Sequence, residues 1–147
     1  MIECIAILNL LTFTGDVNRQ ERLDTCKELV VEAKAAKVPP ALILAIAWVE
    51  SNWIMHREPT KSNCVGPMQV KVKYWCPPPT GEWKPTQTNG TLKGCNVVKR
   101  GVFAYTWYID RFQTVNKALA CFGGDCADTK YPAKVMKKFK VMARHFR

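Results

Sequence analysis

Histidine is scarce in this chain: His56 and His145 are the two present in 147 residues. Cys121 and Cys126 stand close together, but no second pair with nearby histidines completes a tetrahedral zinc set, so no metal and no cofactor is expected. Acidic side chains are also few. Twelve Asp and Glu face 22 Lys and Arg, for a formal charge of +10. That balance implies attraction to a polyanion: nucleic acid, anionic lipid or a bacterial wall with its acidic polymers. Seven of the basic residues fall in 130–147, where no acidic residue occurs. They read as a solvated helix face or as a surface that guides the chain to an anionic partner. No nucleic-acid-binding motif accompanies the charge, so no nucleic acid is expected. Long repeats and low-complexity tracts are missing, and 48% of residues are hydrophobic, which excludes disorder and suits one packed domain.

The N-terminal apolar run, 4–11, is too short to span a bilayer as a helix. Its length fits a signal-peptide core. Glu3 stands where a basic start is usual, and no small-x-small cleavage site follows. Residues 1–16 are therefore read as an export signal or a packing arm, and 17–147 as the domain. Seven cysteines stand at 4, 26, 64, 76, 95, 121 and 126. Loss of the first segment would remove Cys4 and leave six, a parity that fits an oxidising compartment.

Periodicity predicts a helix over 18–37, with Leu23, Cys26, Val30 and Ala33 on its apolar face and Asp16 or Asn18 as its cap. Val38-Pro39-Pro40 breaks it, and Pro40 suits the first turn of the next helix. Residues 41–49 read Ala-Leu-Ile-Leu-Ala-Ile-Ala-Trp-Val, a helix apolar all round and hence buried. Residues 59–94 are rich in turn formers. Asn89-Gly90 marks a possible hairpin, and a disulfide between Cys76 and Cys95 would restrain the stretch. A long helix is predicted over 98–119, with Val102, Tyr105, Ile109, Phe112 and Leu119 buried. After the turn Phe122-Gly123-Gly124-Asp125, a last helix starts near Pro132, with Val135, Met136, Phe139 and Met142 inward. The fold class is mainly α, with a loop-rich middle.

Glu50 ends the apolar helix. A carboxyl seldom follows nine apolar residues without a reason. Burial raises the pKa of such a group, and a protonated carboxyl can act as a general acid. A surface Glu paired with Lys or Arg is the plainer alternative. Glu58, Asp110, Asp125 and Asp128 have no spacing that marks a partner carboxylate, and all four read as surface charges.

Glu50-Ser51 is followed by Gly66-Pro67-Met68-Gln69, then Asn96-Val97 with Gly101, then Ala118-Leu119-Ala120-Cys121-Phe122-Gly123, then Tyr131. In this order the chain resembles the lytic transglycosylase domain of the soluble-transglycosylase type, a relative of goose-type lysozyme, over about residues 20–146. The resemblance implies a lysozyme-like fold and a single catalytic acid, Glu50. It implies that Ser51 supports Glu50, and that Gly66, Met68, Gln69, Phe122 and Tyr131 line the sugar cleft. Phe122 replaces the family's tyrosine and Gly123 its asparagine, so the hydroxyl usual there is missing.

The implied substrate is the peptidoglycan glycan strand, cleaved between N-acetylmuramic acid and N-acetylglucosamine to leave 1,6-anhydromuramyl ends. The implied location is extracytoplasmic: periplasmic, secreted or phage-delivered. The expected state is a monomer near an anionic wall or membrane surface. A water-using muramidase and a non-catalytic basic wall-binding or virion module are the alternatives. Trp48 and Trp107 lie on predicted helices and read as core. Trp53, Trp75 and Trp83 flank loops and read as core or loop anchors, with stacking on sugar faces as the alternative.

Overall fold

An apolar stripe must be covered, and in this chain helices cover one another. A computed structural model describes residues 2–13, 17–56, 63–77, 91–92 and 94–146. The described elements are α1 (Ile2–Leu10), α2 (Arg19–Ala35), α3 (Pro40–Ser51), β1 (Cys64–Val65), β2 (Val70–Lys71), α4 (Val72–Trp75), β3 (Thr91–Leu92), β4 (Cys95–Asn96), α5 (Val97–Phe112), α6 (Val115–Phe122) and α7 (Lys130–Ala143). The chain is mainly α, as its periodicity predicts.

The N-terminal segment is a packing element in this structure. Cys4 and Ile7 are fully buried, and Cys4 is disulfide-bonded to Cys26 on α2. Cys76–Cys95 and Cys121–Cys126 are the other two disulfides among the described residues, so the cysteine outside the three is Cys64 rather than Cys4. Three disulfides point to an oxidising environment. Among the described residues no helix is long and apolar enough to cross a membrane.

Asn18 caps α2 by accepting the Glu21 N–H at 2.8 Å. Pro40 opens α3, where its missing N–H costs nothing. Residues 41–47 of α3 are all buried, chiefly by α7 and α2. The chain then turns sharply, with Asn52 at φ 56° and Trp53 at φ 60° in the left-handed region. Trp53 has no exposed surface and donates its indole N–H to the Leu44 carbonyl at 2.9 Å, so it is core and not a sugar platform. Trp107 is the reverse case: it is 42% exposed on α5, against the expectation of burial.

The long helix expected over 98–119 is two helices. Gln113 adopts φ 63° and closes α5 through its N–H to the Ile109 carbonyl, while its amide donates to the Asp110 carbonyl. Thr114 is extended and starts α6. The break lets Leu119 turn into the core while Phe112 stays half-buried.

The predicted turn Asn89-Gly90 lies outside the described residues. A hairpin does form at Gly66-Pro67-Met68-Gln69, which joins β1 to β2 with Val65 opposite Val70. Gly66 has φ 80°, and a Cβ there would meet the Val97 Cβ at 2.8 Å. Two demands therefore fall on one residue: a left-handed backbone and a bare α-carbon. Gly66→Ala is expected to lower stability by about 2 kcal/mol or more. Chemical denaturation checks this, and an unchanged midpoint would contradict it.

Candidate active site

Glu50 sits in the last turn of α3, half-buried. Its Oε2 accepts a hydrogen bond from the Tyr131 hydroxyl at 2.7 Å, across 81 residues of sequence. The contact exists because α3 packs along α7 and Tyr131 lies in the first turn of α7. Burial first, and then the charge and hydrogen bond of Glu50, hold the Tyr131 phenol well above its ordinary value of 10. The phenol therefore stays protonated and acts as a donor to the carboxylate.

Two features place Tyr131. Asp128 accepts the Lys130 N–H at 2.9 Å and the Tyr131 N–H at 3.2 Å, which fixes the start of α7. Gly123 lies under the ring: a Cβ there would come within 2.7 Å of Tyr131 Cδ1. The glycine that departs from the resembled pattern thus makes room for the tyrosine that reaches Glu50. The Cys121–Cys126 disulfide closes the turn that carries it.

Ser51 is buried, so it positions other groups and does not touch a substrate. Its Oγ lies 2.7 Å from the Pro67 carbonyl and 3.1 Å from the Ala47 carbonyl, and it accepts the Ile54 N–H. One proton serves two carbonyls, and the shorter contact favours Pro67. The hydroxyl thereby ties the end of α3 to the hairpin turn.

Met68 is also fully buried, against Gly101, where a Cβ would lie 2.9 Å from the Met68 sulfur. It supports the turn from behind and does not face a sugar. Gly66 likewise admits Val97 rather than a ligand. Gln69 is the turn residue that keeps an open function. It stands at φ 51°, its amide nitrogen donates to the Gly66 carbonyl at 2.8 Å, and no hydrogen-bond donor among the described residues reaches its buried Oε1. An orphaned buried acceptor is costly, and a ligand N–H would satisfy it.

Phe122 is half-buried and packs edge-on to Tyr108, with centroids 6.3 Å apart. Asp110 and Asp125 are exposed, Asp128 is engaged by backbone N–H groups, and Glu58 and Trp83 lie outside the described residues. Among the described residues no group of three His, Cys, Asp or Glu could hold a metal.

Sequence reading missed Arg22. It is buried and donates from Nε to the Asn52 carbonyl at 2.8 Å, bracing the left-handed turn after Glu50. The signal was present: Arg22 lies four residues before Cys26, on the buried stripe of α2.

Comparison with family models, curated proteins and solved structures returns no match to this chain.

Asp128 generates a pH prediction. The Lys130 N–H chiefly, aided by the Tyr131 N–H, holds its carboxyl below the usual range. Its contribution is complete above the ordinary Asp value of about 3.9 and is lost as pH falls through the depressed folded value. The amide shifts of Lys130 and Tyr131 should therefore inflect below about pH 3.9, and Asp128→Asn should remove the inflection. A flat titration in the parent protein would contradict this.

Proposed function

We propose that the chain is a peptidoglycan-cleaving lytic transglycosylase with a lysozyme-like fold, and that Glu50 is its acid and base. The observation that carries the reading is the hydrogen bond from Tyr131 to Glu50. It joins the Glu-Ser step to the late tyrosine, while Ser51 joins the same step to the Gly-Pro-Met-Gln turn. The Tyr131 segment touches the Glu50 carboxyl, and the Gly-Pro-Met-Gln turn touches the hydroxyl of the next residue, Ser51.

The chemistry follows from one carboxyl used twice. Protonated Glu50 gives its proton to the oxygen that bridges N-acetylmuramic acid and N-acetylglucosamine. The muramyl C1–O bond breaks, and the acetamido carbonyl oxygen of the same sugar bonds to C1. The Glu50 carboxylate then takes the proton of the muramyl 6-hydroxyl. That oxygen attacks C1, the acetamido group leaves, and a 1,6-anhydro ring closes. Glu50 ends protonated, ready for the next turnover. Tyr131 positions the carboxylate between the two proton transfers. The open Gln69 Oε1 is suited to an acetamido N–H. The substrate places the protein outside the cytoplasm, a location that the three disulfides support.

Purified wall digested by the parent protein should yield anhydromuramyl ends by mass spectrometry; reducing ends would instead mark a water-using muramidase. Glu50→Gln should lower turnover about 100-fold or more while wall binding persists. Tyr131→Phe should lower it about tenfold, and Gly123→Ala should do the same by displacing the ring. Full activity in Glu50→Gln would end this reading.

A further inference from the structure

Three aromatic side chains that a folded chain would normally bury lie on one exposed surface: Tyr74 at 64%, Phe103 at 45% and Trp107 at 42% exposure. Each carries a cation over its ring. Arg100 sits 4.3 Å from the Phe103 centroid, Arg111 5.2 Å from that of Trp107, and Lys71 and Lys73 5.5 and 5.7 Å from that of Tyr74. Spacings of three and four place Arg100, Phe103, Trp107 and Arg111 on one face of α5. Trp75 binds this face to α4, with its ring edge-on to Phe103 and Trp107. Asp110 stands at the flank of the face.

We infer that this aromatic–cation face docks on the headgroup layer of an anionic phospholipid bilayer. The inference does not rest on the catalytic reading. Exposed Trp, Tyr and Phe beside Arg and Lys suit that layer, where rings enter the interface and cations meet phosphates. Other occupants fit less well. The rings meet at interplanar angles of 62–89° around Trp75 and Trp107, so they offer no flat platform for successive bases or sugars. Guanidinium groups already cover the Phe103 and Trp107 faces. A second copy of the chain would bring the same cations against one another. A guanidinium held over a ring keeps its outer N–H edge for phosphate oxygens.

Vesicle co-sedimentation tests the proposal with the full-length protein, using phosphatidylglycerol vesicles against phosphatidylcholine vesicles. Binding to the former alone is expected. Phe103→Ala with Trp107→Ala should weaken it about tenfold or more. Arg100→Glu with Arg111→Glu should abolish it, and serves if the first pair disturbs folding as judged by circular dichroism. Glu50→Gln should bind like the parent, which separates this surface from the proposed active site. No binding to anionic vesicles, or binding indifferent to both double variants, overturns the proposal. So does retention on purified wall or DNA that these variants abolish while vesicle binding persists.

Discussion

A helix that is apolar on every side has no face to give to water. That constraint on α3 organises the rest of the molecule. Residues 41–47 are enclosed by α2 and α7, and each Leu or Ile buried there contributes about 1.5–3 kcal/mol. Full burial is interrupted after Ala47, where Trp48, Val49 and Glu50 are half-buried before Ser51 is buried again, and Glu50 is the carboxyl in that stretch. Its neighbours follow from the same packing. Laying α7 along α3 brings Tyr131 to the carboxylate, and the left-handed turn at Asn52 and Trp53 drives an indole back under the helix. The hydroxyl of Ser51, one residue on, then has the hairpin turn as its partner.

Much of this framework is legible in the residues. Asn18 is a helix cap by chemistry, Pro40 a helix start by its fixed φ, and 41–49 a helix by composition, buried over 41–47. The Cys76–Cys95 bridge follows from two cysteines that bracket one irregular stretch. What escapes the sequence is set by tertiary geometry. Gln113 breaks α5 without the glycine or proline that would announce it, because side-chain and backbone bonds to 109 and 110 offset its left-handed strain. Met68 turns inward because Gly101, on another element, leaves a space of its size. The reach of Tyr131 depends on Gly123 and on how α7 lies against α3. Trp107 is exposed against expectation for the same reason: helix membership does not say which side meets water.

Local devices hold regions too small to hold themselves. The described strands are two residues long and pair in twos, and such hairpins are marginal alone. The Cys76–Cys95 bridge ties one pair to the small apolar cluster of Val65, Val72 and Val97. The positive charge divides between surfaces. On α7, Lys138 lies 3.8 Å from the Trp48 centroid, and Lys137 and Lys140 line an open groove of about 760 Å³ between α6 and α7. On α5 the cations sit over exposed rings instead. Charge on α7 surrounds a concavity, whereas charge on α5 caps an apolar face.

The central claim is that a glycan is held beside Glu50. Backbone chemical-shift mapping with a soluble N-acetylmuramic acid–N-acetylglucosamine oligomer tests it most directly. Perturbations centred on Glu50, Gln69 and Tyr131 that persist in Glu50→Gln are expected. Perturbations confined to the α6–α7 groove or to the exposed face of α5, with those three residues unmoved, would contradict it.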